Sequence, residues 1–207
     1  MSTTYPSDIA FTPSVKAEQT RMGSRRAYAH MEEGGGWQTR ITPELEDFLA
    51  QRNSLYLATA NAAGQPYIQH RGGPLGFLRV LDEQRFGFAD FAGNKQYITL
   101  GNIRENIKAH VFLMDYAHRR RIKIWGELSV VEGDAELNAR LKPEGYKARV
   151  ERVMVIKVSA WDVNCPQHIP MKIDAADVSA AIAERDARIA ALEAEVRRLR
   201  GTGLQIT

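Results

Sequence analysis

The chain contains a single cysteine, Cys165, among its 207 residues. One cysteine excludes an internal disulfide and a cysteine-rich metal site. Long apolar runs are also missing, since none approaches the roughly 20 residues that a membrane-spanning helix needs. Residues 1–12 are polar and lack the charged start and apolar core of a secretory signal. We therefore expect a soluble, cytoplasmic protein.

The chain also has no large excess of charge of either sign. Lys and Arg number 28 against 25 Asp and Glu, which gives a formal net charge of +3. That excess is too small to predict a nucleic-acid partner. The sequence has no Gly-x-Gly-x-x-Gly or Gly-Lys-Ser pattern, so a Rossmann or phosphate-loop nucleotide site has no support. An apolar share of 44% is enough for a core, and the length suits one domain with attached helices.

Strand-sized segments dominate the centre of the chain. Many strands with few helices between them favour an antiparallel, barrel-like sheet over βαβ units. Helices are predicted from Ser14 to Met31, from Thr42 to Leu49, over 96–106 and over 135–141. The predicted strands are 55–60, 66–71, 76–81, 85–91, 109–116, 121–131 and 153–159.

The C-terminal segment 175–200 differs in kind, being rich in Ala, Glu and Arg. Its apolar residues follow the a/d spacing of a coiled coil, with Arg185 in one position that should be apolar. Two interpretations stay open, namely self-association as a short coiled coil and packing of an amphipathic helix on its own barrel. We favour self-association. The apolar positions are Ile182, Ile189, Leu192, Val196 and Leu199.

Two short polar segments predict an anion-binding site. Gln69-His70-Arg71-Gly72-Gly73 ends one predicted strand, and Asn94-Lys95-Gln96 follows Gly93 in a loop. Guanidinium binds phosphate bidentately, and lysine supplies a compact charge. Glycines allow a ligand to approach the backbone closely. The pair Arg71 and Lys95 therefore predicts a phosphate site, although a surface arginine and a polar loop that begins a helix would give the same pattern.

The densest basic run is 119–123, at the start of the predicted strand 121–131. Period two places Arg121, Lys123 and Trp125 on one face of that strand and the aliphatic residues on the other. A charged edge that prevents aggregation explains the run equally well. A nucleic-acid patch is a weaker alternative, because no matching motif accompanies it.

Taken together, these segments resemble the pyridoxamine 5'-phosphate oxidase-like family, whose members hold FMN at the dimer interface of a split β-barrel. The likeness runs from about residue 55 to 131, with a looser extension through 161–170. It implies a mainly β fold, an antiparallel split β-barrel with N-terminal helices and a C-terminal coiled-coil-like helix. The implied division is an N-terminal tail and helix (1–41), an FMN-binding split-barrel domain (42–170) and a C-terminal helical extension (171–207). A homodimer with FMN as its cofactor is expected.

The resemblance also implies roles for individual residues. Arg71 and Lys95 would contact the FMN phosphate, while Gln96 stands where the family has a second cation. Arg121 occupies a position that is often glutamine near the flavin ring. No catalytic residue and no metal ligand is assigned. The complete set of predicted cofactor-binding residues is Gln69, His70, Arg71, Gly72, Gly73, Phe88, Ala89, Asp90, Asn94, Lys95, Gln96, Arg120, Arg121, Gln167 and His168.

The segment Cys165-Pro166-Gln167-His168 invites a nucleophile or metal interpretation. A metal is disfavoured because no second Cys/His cluster supplies further ligands, and a rigid proline turn with an incidental thiol is favoured over a nucleophile pair. In one branch of the resembled family such a segment looks like a loop that reaches the flavin of the partner subunit. Gln167 and His168 are therefore expected to contact that flavin.

The expected function is that of an FMN-dependent oxidoreductase acting on an unidentified small molecule. A non-enzymatic flavin carrier, redox sensor or interaction protein is the alternative, and a deazaflavin or haem in the same barrel is a third possibility. Authentic pyridoxamine phosphate oxidase activity is not expected, because Gln167-His168 and a coiled coil stand where that enzyme has an Arg-x-His-type segment. Neither nucleic acid nor a membrane is expected as a partner.

Overall fold

A computed structural model describes residues 4–163 and 165–202. These residues fall into two compact units. The first lies within Met1–Asp115 and Arg120–Pro166, and the second within Tyr116–Arg119 and Gln167–Thr207. The first unit contains the sheet and the candidate site, and the second contains the long C-terminal helix.

Seven strands in the described residues form one antiparallel sheet in the order β2-β1-β5-β6-β7-β4-β3. No pairing joins the edge strands β2 and β3 in this part of the chain, so the sheet is not closed. The predicted antiparallel split barrel is confirmed. The strands are β1 (Ser54–Ala60), β2 (Pro66–Gly72), β3 (Arg79–Val80), β4 (Arg85–Phe91), β5 (Lys108–Asp115), β6 (Arg120–Val131) and β7 (Val150–Val163).

Period-two alternation explains how these strands build the core. In β6 the aliphatic residues Ile122, Ile124 and Leu128 are buried, while Lys123 and Trp125 on the other face are half-exposed. A bulge interrupts the β6–β7 register between Trp125 and Gly126. A Cβ on Gly126 would lie 2.3 Å from the Lys157 carbonyl oxygen, so only glycine fits this crossing.

A short 3-10 helix (Pro6–Ile9) and six α-helices complete the described chain. The helix predicted from Thr42 is confirmed: Thr42 accepts a hydrogen bond from the Leu45 N–H, and Pro43 occupies the first helical position. The helices are α1 (Pro13–Arg21), α2 (Arg25–Glu33), α3 (Pro43–Ala50), α4 (Ile98–Glu105), α5 (Ala135–Leu141) and α6 (Ala175–Thr202).

Two local predictions are wrong. The single helix expected from Ser14 to Met31 is two helices, because the chain turns at Gly23 with φ of +79°, and Thr12 rather than Ser14 caps α1. The strand expected over 76–81 is reduced to Arg79–Val80. Phe77 is nevertheless fully buried, so its apolar character reflects core packing rather than strand pairing.

Helix α4 positions the loop that precedes it. Asn102 donates a buried hydrogen bond of 3.0 Å to the Thr59 hydroxyl on β1. Leu100 and Ile103 pack against the core of the sheet. Because these contacts hold α4 against the sheet, the start of the helix and the segment 93–97 have a defined place beside β2 and β4.

In the second unit, α6 is a single helix of 28 residues, which bears out the helix predicted over 175–200. All of its side chains that the structure describes are exposed. Among the helices of residues 4–163 and 165–202, none has the length and apolar content to cross a bilayer.

Candidate functional site

A cavity of about 240 Å³ opens in the first unit between β2, β4, β7 and the start of α4. Six of the predicted cofactor-binding residues line it together. They are Gln69, Arg71, Asp90, Asn94, Lys95 and Gln96.

Arg71 reaches the cavity because period two puts it on the same face of β2 as Gln69 and Tyr67. Its Nη1 lies 2.9 Å from Oδ1 of Asp90 on β4. Strands β2 and β4 are not neighbours in the sheet, so this ion pair spans the open side of the barrel. The Nε of Arg71 is buried and has no hydrogen-bond partner among the residues that the structure describes. A buried N–H without an acceptor is costly, so an acceptor from a ligand would be stabilising here.

Asp90 lies between two guanidinium groups. Its side chain is almost fully buried, and its Oδ2 is 3.5 Å from Nη1 of Arg152 on β7. Burial raises the pKa of the Asp90 carboxyl, and the neighbouring charges of Arg71 and Arg152 lower it by a smaller amount. Through its two contacts at 2.9 and 3.5 Å, the Asp90 side chain links Arg71 and Arg152 at the cavity wall.

Arg152 belongs to a larger charged network. It bonds Glu132 at 3.2 Å and Glu151 at 3.3 Å, and its guanidinium carbon is 5.4 Å from the centroid of the Tyr97 ring. Its side chain is only 12% exposed, so its contact with Glu151 is sheltered from solvent, whereas Glu132 itself is exposed. Arg152 supplies a second ordered cation beside Arg71.

The loop before α4 brings the third cation. Lys95 and Tyr97 both adopt left-handed backbone conformations, with φ of 59° and 55°. Such conformations are uncommon outside glycine and cluster at functional sites. Asn94 Oδ1 accepts a hydrogen bond from the Gln96 N–H at 3.3 Å, which stabilises the turn.

The N-terminus of α4 borders the same cavity through Ile98 and Thr99. The first N–H groups of a helix lack intrahelical partners, and the helix dipole favours an anion there. The Thr99 hydroxyl donates to Gln69 Oε1 at 3.4 Å and so ties the helix start to β2.

The cavity therefore combines an arginine fork, a lysine, a second arginine and a helix N-terminus. Two carboxylates, Asp90 and Glu151, also line it, so its cations exceed its anions by one. This chemistry suits a small dianion such as a phosphate monoester, which accepts both bidentate and point-charge contacts.

Other predicted residues of β2 lie elsewhere. His70 points to the opposite face, with its ring edge-on to Tyr56 at 5.7 Å. A Cβ on Gly73 would lie 2.8 Å from the Phe77 side chain, so that glycine is required by packing within the chain. Gly72 is the last residue of β2 and does not line the cavity.

The remaining predicted residues are also outside the cavity lining. Phe88 and Ala89 are buried in the sheet, and Phe88 packs edge-on against Phe77. Arg120 pairs with Glu44 of α3 at 2.8 Å. Arg121 lies on β6 opposite Met114.

Gln167 and His168 belong to the second unit and are exposed in a turn, with φ of 61° at His168. Their contact with a flavin stays a prediction. Cys165 is a free, exposed cysteine. Within residues 4–163 and 165–202, no three His, Cys, Asp or Glu side chains are grouped closely enough to hold a metal ion.

Sequence reasoning missed several lining residues, above all Arg152. Arg152 is the direct cross-strand partner of Asp90 in the β4–β7 register. Some 60 residues separate them, and no local pattern predicts which two strands pair. Tyr67 was accessible from the sequence, since it precedes Gln69 and Arg71 at period two.

A family model described as pyridoxamine 5'-phosphate oxidase matches residues 41–165. That span contains all seven strands and every residue that lines the cavity. Among solved structures, HupZ from Group A Streptococcus is 22% identical, with 64% of this chain and 99% of that chain covered and a TM-score of 0.48. An FMN-binding protein from Syntrophomonas wolfei is 17% identical, with 73% and 95% covered and a TM-score of 0.45. No curated protein matches the chain.

Proposed function

We propose that this protein is an FMN-binding flavoprotein, because the chain belongs to the pyridoxamine 5'-phosphate oxidase family. The observation that carries the proposal is the cavity at Arg71, whose buried Nε has no partner within residues 4–163 and 165–202. A phosphate oxygen is an acceptor of the kind that this donor lacks.

The residues present fit the phosphate end of FMN. Arg71 would donate from its guanidinium, and Lys95 would add a point charge from the loop. The first N–H groups of α4 would donate hydrogen bonds to the phosphate oxygens. Asp90 would hold Arg71 in position, with Arg152 balancing the charge of that carboxylate.

Other residues would serve the rest of the cofactor. The amide side chains of Gln69, Asn94 and Gln96 offer donors and acceptors for polar groups next to the phosphate. From the family resemblance we also propose that Arg121 lies near the flavin ring, where a cation stabilises the negative charge of the reduced form. On the same basis two copies would share two equivalent sites across a twofold interface, and Gln167 and His168 would reach the flavin of the other copy.

We further propose that the protein is an FMN-dependent oxidoreductase acting on a small molecule. When bound, the flavin supplies hydride or electron transfer. The chain contributes binding, orientation and electrostatics through the cavity described above. A carrier or redox sensor would use the same cavity without turnover, so kinetics separate the two.

The first test is the absorption spectrum of the purified protein after incubation with FMN and removal of the excess. Bound oxidised flavin gives bands near about 370 and 450 nm, and its extraction should return FMN in a ratio near one per chain. A Soret band, or a colourless protein that takes up no flavin, would overturn the proposal of a flavoprotein.

The second test addresses turnover. The FMN-loaded protein is mixed with NADH or NADPH under nitrogen, and the loss of the flavin band is followed before oxygen is admitted. Bleaching followed by recovery over repeated cycles supports an oxidoreductase. A flavin that stays oxidised with either nicotinamide and with other reduced donors would favour the carrier or sensor.

A further inference from the structure

Helix α6 carries an apolar face with a coiled-coil repeat. The side chains of this face are 43–54% exposed, so each leaves about half of its surface in contact with solvent. The positions facing away from it hold mainly alanine and charged residues, which favour a helix without adding apolar surface. The face consists of Val178, Ile182, Ile189, Leu192, Val196 and Leu199.

The residue types at these positions select a particular assembly. The spacing assigns Ile182, Ile189 and Val196 to position a of the heptad. Val178, Leu192 and Leu199 then occupy position d, so two of the three apolar d residues are leucine. Branched residues at a with leucine at d favour two parallel strands over trimers and tetramers.

Charges beside the apolar face agree with a parallel arrangement. In a parallel dimer a g residue faces the partner's e residue five positions later. Arg188 at g would then face the partner's Glu193, and Glu195 at g would face the partner's Arg200. Both pairs join opposite charges.

An antiparallel arrangement is less favourable. Centring two antiparallel helices on Ile189 and Leu192 brings e positions against each other. Asp186 would then face the partner's Glu193, a repulsive pair that occurs twice, and the g positions would bring Arg188 against the partner's Glu195, an attractive pair that also occurs twice. These contacts offset each other, whereas all four g–e contacts of the parallel dimer are attractive.

The polar residue in the core position also fits. Arg185 at d is 3.6 Å from Asp186 of its own helix, and both side chains are exposed. In a parallel dimer position d borders the partner's e position, so Arg185 would meet the partner's Asp186. In this register the two Arg185 side chains also face each other, so the contacts with Asp186 offset a like-charge repulsion at some cost in stability.

One exposed ion pair has to rearrange. Glu195 now bonds Arg198 within the helix at 2.6 Å, with both side chains at least half exposed. Exposed ion pairs of this kind contribute little to the free energy of folding. The bond between Glu195 and Arg198 therefore does not prevent Glu195 from pairing with the partner's Arg200.

We propose that α6 pairs in parallel and in register with the α6 of a second copy of this chain. The pairing is an interaction surface of its own and does not depend on the presence of a flavin.

The first test uses cross-linking in the full chain. Leu199→Cys is combined with Cys165→Ser, so the new thiol is the only one. Parallel pairing places the two Cys side chains side by side, and equilibration in a glutathione buffer gives a disulfide-linked dimer. Antiparallel pairing separates them by about 25 Å, since residue 199 then lies opposite residue 182. Ala194→Cys in the same background is the control, because position f faces outward.

The second test exchanges charges on the cross-linking variant. Arg188→Glu with Glu193→Arg restores both attractive pairs of the parallel dimer. Arg188→Glu with Glu195→Arg has the same composition but gives four repulsive contacts. We expect the first to keep its cross-linked fraction and the second to need a protein concentration on the order of tenfold higher for the same fraction.

Two results would overturn the proposal. One is a Leu199→Cys chain that forms no more linked dimer than the Ala194→Cys control. The other is an equal cross-linked fraction in the two charge-exchanged variants, with circular dichroism showing that both remain helical.

Discussion

Replacing Arg71 by alanine is the perturbation with the clearest expected effect on the cavity. The substitution removes the Nη1 contact to Asp90 and the buried Nε donor that has no partner in the described part of the chain. Asp90 still has its ion pair with Arg152 at 3.5 Å, so its buried carboxylate remains paired with a cation. We therefore expect the folded chain to survive while its affinity for FMN falls.

The magnitude follows from the contact that is lost. A hydrogen bond to a charged group contributes about 1.5–3 kcal/mol, which corresponds to roughly a 10- to 150-fold increase in the dissociation constant. Arg71→Lys keeps the charge but loses the fork, so it should give an intermediate value.

The assay is a titration of FMN fluorescence with apoprotein, at fixed ionic strength because salt screens charge. Arg85→Ala is the matched control, since Arg85 forms an exposed pair with Asp82 outside the cavity. The control should bind FMN within about twofold of the parent chain. A dissociation constant for Arg71→Ala that equals that of Arg85→Ala would refute the reasoning.

Three further predictions concern other parts of the first unit. Lys95→Gln should weaken FMN binding by about three- to tenfold in the same titration, less than Arg71→Ala, because Lys95 is exposed; an unaltered constant would remove Lys95 from the site. In urea unfolding, Gly73→Ala should cost about 1–3 kcal/mol, because its Cβ would lie 2.8 Å from Phe77. A Cβ added at Gly101 in α4 would meet open space, so Gly101→Ala should raise the free energy of unfolding by about 0.5–1 kcal/mol. Equal changes in the free energy of unfolding for Gly73→Ala and Gly101→Ala would contradict the packing argument. Burial lowers the pKa of His110, so the unfolded state binds more protons and the free energy of unfolding should fall as the pH drops below about 6.5. In the His110→Gln variant the free energy of unfolding should fall less over the same pH range. Identical pH profiles of the free energy of unfolding for the variant and the parent chain would contradict this prediction.

Local patterns in the sequence predict much of the fold. Alternation of apolar residues predicts β4 with its observed bounds and β6 to within one residue. The capping threonine and following proline predict α3. These features succeed because period and capping depend on a few neighbouring residues.

Features that depend on distant contacts are not accessible in this way. The segment 76–81 has the apolar character of a strand, yet Phe77 is buried in the core without pairing. The two-residue error at α1 arises because Thr12 and Ser14 are both suitable caps. A sequence gives no measure of which of them the chain adopts.

The same distinction between local patterns and distant contacts applies to the residues of the candidate site. Arg71 and Lys95 were predicted because glycines and amides surround them in the sequence. Arg152 was missed because its role follows from the pairing of β7 with β4. The position of Asp90 between two arginines likewise follows from curvature of the sheet, which brings β2 near β4.

The account depends on recognition of a phosphate group by the cavity at Arg71. The most direct test compares the affinities of FMN and riboflavin, which differ only in that phosphate, by fluorescence titration of one apoprotein preparation. We predict that FMN binds tighter by on the order of a hundredfold, as expected for charge-assisted contacts to the phosphate. Equal affinities for the two flavins, or no binding of FMN, would contradict the account.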